Sequence, residues 1–308
     1  MYRVIPYRTL VGMEIPAQFA ATTVESKGEA GRAWLAELPG IIEGCLERWK
    51  FAPDGPVLHG FMGVVLPGRF LDGGTAVLKV SWVDEETRWE PVALAAWNGE
   101  GAVRLLEHDD ECGAMLLERL DPARSARELD GMAAATVLGR VCRRLAVAAP
   151  PLVPWVQDLA ERWVEQIPAT WRRLGRPIDA SAVDLAVATC RELGPGQPRT
   201  LLHGDLVFDN VLRGEREPWL VIDPMGMAGE PAFDGGNFLG NRWSQLVESG
   251  DVGDAVRRRL AAFAEGAEVE LERSRRWALV RLVNDALWCR EYQTAVVPYV
   301  DTMIEALS

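Results

Sequence analysis

The sequence predicts an α+β protein in two parts, a small first part built on an antiparallel sheet and a larger, mainly helical second part. Between Pro56 and Trp82, and again between Ala102 and Leu120, apolar residues come in short runs broken by glycine and turn residues, as strands do. From Ala126 onward the apolar period lengthens to that of helices, interrupted only by short apolar runs between Arg199 and Asp223. Strands followed by helices is the order of an α+β chain, not of alternating α/β units.

The elements follow in order. After an unpatterned start, Glu29–Lys50 carries Trp34, Leu35, Leu38, Ile41, Ile42, Cys45 and Leu46 at helical spacing, with Pro39 expected to kink it or split it in two. Short strands then follow, expected to break at Gly60, Gly63, Pro67 and the Asp72-Gly73-Gly74 turn. A charged helix is expected from about Asp84 to Trp97, bent by Pro91, and then two strands around the acidic turn Asp109, Asp110 and Glu111. Leu138, Val141, Leu145 and Val147 mark one amphipathic helix; Leu159, Trp163, Ile167 and Trp171 mark another. Between Arg199 and Asp223, "RGEREP" reads as a turn joining two short strands. The expected division is 1–119 and 120–308.

The chain has 308 residues, 48% apolar and 25% charged, the proportions of a globular protein large enough for two lobes. Its net charge of −12 argues against a nucleic-acid partner, because such affinity comes largely from lysine and arginine neutralising phosphates. It favours cationic partners only weakly, since an acidic surface also serves solubility. "LAVAAPPLVPW" (Leu145–Trp155) is too short and too rich in proline to span a bilayer, and the N-terminus lacks the apolar run of a secretion leader. No membrane association and a cytoplasmic location are expected. Five cysteines, an odd number without a CxxC pair, read as reduced core residues.

One short stretch carries chemistry. In "LLHGDLVFDNVL", His203, Asp205 and Asn210 fit H-x-D-L-x-x-x-N, a loop that aims one carboxylate at a hydroxyl proton while its far end turns an amide oxygen toward a metal on phosphates. His203 is expected to orient the loop by hydrogen bonding. In "WLVIDP", Asp223 ends an apolar strand, as a second metal-holding carboxylate would. Lys79 lies inside the apolar strand "AVLKVSW"; a lysine there is costly unless paired with a phosphate or a carboxylate, and Glu90 is the expected partner. Gly60 and Gly63 supply no GxGxxG, so any phosphate cover must come from a less standard turn. A lone carboxylate is usually a turn cap; an ordered set is harder to explain that way.

The stretch from Leu201 to Asp234, with "AVLKV" and Gly99–Pro122 before it and "LVNDALWCREY" after it, resembles the aminoglycoside phosphotransferases. Within them it is most similar to the streptomycin 6-phosphotransferase and hydroxyurea phosphotransferase branch, over roughly Gly31 to Trp288. The resemblance implies a protein-kinase-like two-lobed fold, with a small antiparallel-sheet N-lobe and a mainly helical C-lobe. It also implies transfer of the ATP γ-phosphate to a hydroxyl of a small molecule. Carried over, Asp205 is the base, Asn210 and Asp223 hold Mg2+, and Lys79 contacts the nucleotide phosphates. The backbone from Glu118 to Leu120 receives the adenine, and Asp234 braces the catalytic loop. Asp285 and Glu291 become candidates for binding a cationic substrate. The chain departs from many relatives in having Val207 where they carry a second histidine, and "IDPMG" stands for D-F-G.

The expected partner is one small-molecule substrate, most simply a cationic aminoglycoside such as streptomycin, bound by a monomer. Alternatives are a kinase of hydroxyurea, a peptide antibiotic or an endogenous sugar or amino alcohol, and a catalytically silent nucleotide-binding fold. Intact Asp205, Asn210, Asp223 and Lys79 argue against the last.

Overall fold

A computed structural model describes residues 14–308 except Glu86; the expectations of an unpatterned start and of no secretion leader fall mainly on residues outside that range. The chain divides into two compact units. The first runs to Pro91 and includes Val103–Arg119; the second comprises Val92–Ala102 and Leu120–Ser308.

The first unit opens with helix α1 (Ala17–Trp49). Its break falls at Gly28, where φ is +62°, and Pro39 lies within the helix. Only glycine takes that conformation without strain, which makes Gly28 the weaker point. Strands β1 (Phe51–Pro53), β2 (Leu58–His59), β3 (Gly63–Phe70), β4 (Thr75–Ser81), β5 (Leu105–Asp109) and β6 (Ala114–Glu118) form one antiparallel sheet. The order is β1-β3-β4-β6-β5, with β2 also pairing with β3.

Pro67 does not break β3. Its carbonyl accepts the Asp54 N–H at 3.0 Å, so its missing donor points to the same side, just past the end of β1, and costs only the return bond to Asp54. Alternation sorts β4 into two faces. Ala76, Leu78 and Val80 join Val64, Leu66 and Leu116 under Leu38, Ile42 and Leu46 of α1. Lys79 therefore takes the face away from that core.

The expected helix from Asp84 shortens to α2 (Glu90–Trp97), and Glu85 lies in the preceding turn. Pro91 belongs to the first turn of α2 and starts the helix instead of bending it, because an N–H there would have no intrahelical acceptor. Val92–Ala102, expected in the first part, groups with the second unit. Trp97 Nε1 donates to the Leu145 carbonyl at 2.8 Å, Arg216 donates to the Ala102 carbonyl at 2.5 Å, and Ala102 bridges to Val221.

The second unit contains α3 (Gly131–Leu145), α4 (Val156–Arg173), α5 (Ala180–Leu193), α6 (Trp243–Glu248), α7 (Val252–Ala267), α8 (Leu271–Tyr292) and α9 (Val297–Leu307). Val147, assigned to α3 by its spacing, lies just past it and accepts the Leu201 N–H at 2.8 Å. Helices α3 and α7 cross at glycine: a Cβ at Gly139 would sit 2.3 Å from the Phe263 carbonyl oxygen. All five thiols are free and four are buried, with Cys112 half-buried; burial pushes Cys45 and Cys190 up to about 12. No helix among the described residues is long and apolar enough to cross a membrane.

Two antiparallel ladders hold the site. Strand β7 (Thr200–Leu202) pairs with β10 (Met227–Gly229), and β8 (Val211–Leu212) with β9 (Leu220–Val221). The loops 203–210 and 222–226, each running from one ladder to the other, are thereby set side by side.

Candidate active site

His203 fastens the two loops together. It is fully buried, and its carbonyl accepts the N–H groups of Met225 at 2.8 Å and Gly226 at 3.3 Å. Its Nδ1 accepts the Asp205 N–H at 3.2 Å, which leaves the proton on Nε2 for the Ile222 carbonyl at 2.9 Å. Asp234, also buried, accepts the N–H groups of His203 at 3.1 Å and Gly204 at 2.9 Å. Burial pushes the Asp234 carboxyl up, opposed by the backbone N–H groups of Gly204 and His203 and by Arg281. Gly204 has φ +83°, so a side chain there would strain the turn that presents Asp205.

The Asp205 carboxylate is held by two amides. Asn210 Nδ2 donates to Oδ2 at 3.2 Å and to the Asp205 carbonyl at 2.9 Å. Asn237 Nδ2 donates to Oδ1 at 3.1 Å and to the Gly204 carbonyl at 3.0 Å. Arg281 donates to that same carbonyl at 3.1 Å, and Asn241 accepts the Phe208 N–H at 2.9 Å further along the loop. Asn237, Arg281 and Asn241 were not among the sequence candidates. Asn237 lies in "GEPAFDGGN", three residues after Asp234, and nothing in its spacing distinguishes it from a turn residue.

With its amino group spent on Asp205, Asn210 has its amide oxygen available as a ligand. The Ile222 N–H donates to the Asn210 carbonyl at 3.0 Å, which brings Asp223 beside it. Asp223 has φ +57°, a conformation that aspartate tolerates and that recurs where function fixes a side chain. Two hard oxygen donors, one of them a carboxylate, fit Mg2+, which completes its shell with phosphate and water.

Within the first unit, Lys79 Nζ lies 2.7 Å from both carboxylate oxygens of Glu90. Lys79 is 8% exposed and Glu90 2%, so each charge offsets the desolvation of the other. Glu118 uses its N–H on the Arg104 carbonyl at 2.9 Å, and its carboxylate accepts the Arg104 N–H at 3.0 Å. Leu120, half-buried, begins the second unit's main segment. Gly60 closes the β2–β3 turn by donating to the Gly63 carbonyl at 3.0 Å, and Phe61 is exposed at its tip.

The two candidate substrate carboxylates differ in position. Asp285, on α8, reaches water yet is ringed by protein. That burial raises its carboxyl, Arg281 and Asn284 oppose the rise, and the Asp205 charge adds to it, so Asp285 belongs to the neighbourhood of the catalytic loop. Glu291 is exposed but occupied: Arg173 of α4 grips it with two bonds, at 2.5 and 2.9 Å, and holds it below the ordinary glutamate range. The structure does not bring it to Asp205 as a free carboxylate.

Comparisons with known proteins give the family and the fold. A sequence model of the family described as "Aminoglycoside/hydroxyurea antibiotic resistance kinase" matches residues 48–292. The chain is 37% identical to streptomycin 6-kinase of Streptomyces griseus, with 96% of this chain and 97% of that one covered. It is 39% identical to hydroxyurea phosphotransferase of Kitasatospora aureofaciens, with 90% and 80% covered. Among solved structures, Plasmodium vivax ethanolamine kinase superposes with a TM-score of 0.57 at 11% identity, covering 84% of this chain and 81% of that one. The choline kinase of Streptococcus pneumoniae gives 0.55 at 16% identity, covering 88% and 99%. These two likenesses show the fold, which is protein-kinase-like. The chain therefore belongs to the aminoglycoside/hydroxyurea antibiotic resistance kinases and is a phosphotransferase acting on a small-molecule hydroxyl.

Proposed function

We propose that this kinase uses ATP and Mg2+ to phosphorylate a hydroxyl of a cationic aminoglycoside, with streptomycin the first candidate. The observation that carries the reading is the pair of carboxylates Asp205 and Asp285. One is clamped by Asn210 and Asn237; the other, within its electrostatic reach, can meet a positive charge on the acceptor. Relatives that act on streptomycin, nearly full-length matches, support the same substrate.

In this reading Asp205 accepts the proton of the attacking hydroxyl, and His203 and Asp234 act on it only by fixing its backbone. Asn210 and Asp223 would hold Mg2+, which when bound neutralises phosphate charge. Lys79 would meet the nucleotide phosphates, kept extended by Glu90, and the backbone at Glu118–Leu120 would receive the adenine. As an ATP user the enzyme would work in the cytoplasm. A second reading, phosphorylation of hydroxyurea, rests on the hydroxyurea phosphotransferase relative, but a neutral acceptor gives Asp285 nothing to neutralise.

The test is ATP-dependent phosphorylation across streptomycin, other aminoglycosides, a peptide antibiotic, hydroxyurea and amino sugars. Streptomycin should give the highest kcat/KM; preferential turnover of hydroxyurea would replace the first reading by the second.

A further inference from the structure

Arg281, Asp285, Trp288 and Tyr292 follow one another on α8 at steps of four, three and four residues, which places them in a single stripe about 60° wide. Flanking positions face inward: Leu282, Val283, Ala286, Leu287 and Cys289 are buried. The stripe begins at the catalytic loop, where Arg281 bonds the Gly204 carbonyl and lies over the Phe233 ring at 4.7 Å. Asp285 follows, within the field of Asp205. Trp288 and Tyr292 then lie about 4.5 and about 10 Å further along the axis. They are 45% and 68% exposed, with ring centroids 5.3 Å apart and planes inclined by 37°. Two large rings side by side in water forgo burial that either could have had in the core, and a carboxylate one turn away gives that surface a charge preference.

We propose that Trp288 and Tyr292 form a stacking platform for a planar cation, a guanidinium group on the acceptor, which Asp285 neutralises. The platform rests on the kinase reading for its orientation toward Asp205. Its chemistry selects among cations. A guanidinium is flat, weakly hydrated and able to lie on an aromatic face, whereas an ammonium is compact and holds its water. Glu291 does not compete for the ligand, being bound to Arg173, which leaves Asp285 as the carboxylate that serves the stripe.

The experiment is calorimetric titration, without nucleotide, of streptomycin as the guanidinium-bearing probe and kanamycin as the ammonium-only comparator, with turnover measured in parallel. Streptomycin should bind the wild type. Trp288→Ala should weaken it at least about tenfold, ~1.4 kcal/mol. Trp288→Phe should stay within about threefold of wild type, and Tyr292→Ala should weaken binding several-fold. Kanamycin binding should change less than about threefold in all variants. Both side chains lie at the surface outside the core, so thermal melting should report folded variants. The platform is overturned if streptomycin fails to bind the wild type, if Trp288→Ala leaves its Kd within twofold, or if both probes lose equally. Streptomycin that binds through Trp288 yet is not phosphorylated would sink the substrate reading and leave the platform standing; phosphorylation with a KM indifferent to Trp288→Ala would do the reverse.

Discussion

His203 accepts the backbone N–H of Asp205 on its Nδ1 at 3.2 Å, and its other ring nitrogen is committed to the Ile222 carbonyl. One imidazole thus ties the residue that presents the carboxylate to the residue preceding Asp223. It is fully buried, so it acts through position and not by exchanging protons with a substrate.

Replacing that imidazole should misplace the carboxylate. His203→Ala takes the side-chain partner from two part-buried backbone groups, a loss of about 1–2 kcal/mol in stability. It should lower kcat by at least about tenfold, while the KM for ATP stays within threefold. Steady-state kinetics beside thermal melting measures both; kcat within threefold of wild type would remove His203 from the positioning role.

The two acidic candidates on α8 should behave differently. Asp285→Asn should raise the KM of a cationic substrate and flatten its salt dependence, which in the wild type reflects screening over ~10 Å at 0.1 M. Glu291→Gln should leave both nearly unchanged, because Arg173 already neutralises that charge. The Asp285 carboxyl is raised above the ordinary aspartate range, so the ionised form that binds a cation is gained only above that range. The substrate KM should therefore fall as pH rises through it, and Asp285→Asn should abolish the fall. A KM indifferent to salt and to both substitutions would contradict the cationic acceptor.

Metal dependence should be carried by the oxygen donors. ATP affinity measured calorimetrically should drop sharply when Mg2+ is chelated, and Asp223→Ala should remove the difference between the two conditions. Equal affinity with and without Mg2+ in the wild type would refute the assignment of Asn210 and Asp223.

A structural carboxylate provides a stability test. Glu230 lies almost buried and accepts from Arg273 at 2.5 and 2.8 Å, Trp277 Nε1 at 2.6 Å and Gln197 at 3.2 Å. Burial pushes its carboxyl up, but the bonds from Arg273, Trp277 and Gln197 outweigh that and hold it below the ordinary glutamate range. A depressed folded pKa gives stability that is present above the unfolded value, ~4.3, and is lost as pH falls through the folded one. Glu230→Gln should therefore cost about 1–3 kcal/mol at neutral pH, with the gap from wild type closing below about pH 4.3. Chemical denaturation as a function of pH decides it; a gap that persists undiminished in acid would refute the ionic contribution.

Much of the architecture was legible because it follows from period. Lys79 stands inside an apolar strand, where a lysine demands a partner, and Glu90 supplies it at 2.7 Å. Proline was read less well. Pro67 and Pro91 were expected to interrupt elements, yet one lies within a strand and one in the first turn of a helix, where a proline has no intrahelical bond to lose. At the site, the chain-local motif gave His203, Asp205 and Asn210. Asn237 and Arg281 were invisible because their contacts to Gly204 and Asp205 span 32 to 77 positions and leave no spacing to read. Glu291 illustrates the converse: its partner Arg173 lies 118 residues away, so the sequence showed a free carboxylate where the fold has an ion pair.

The central claim is that Asp205 takes the hydroxyl proton, and Asp205→Asn tests it most directly through single-turnover phosphate transfer to the best acceptor. The amide can still accept from one of Asn210 and Asn237 but must oppose the other, a loss of about 1 kcal/mol, so the protein should remain folded with its ATP affinity within about threefold. Transfer should slow by about 10²–10⁴. A rate within threefold of wild type, in a folded and ATP-saturated variant, would contradict the account.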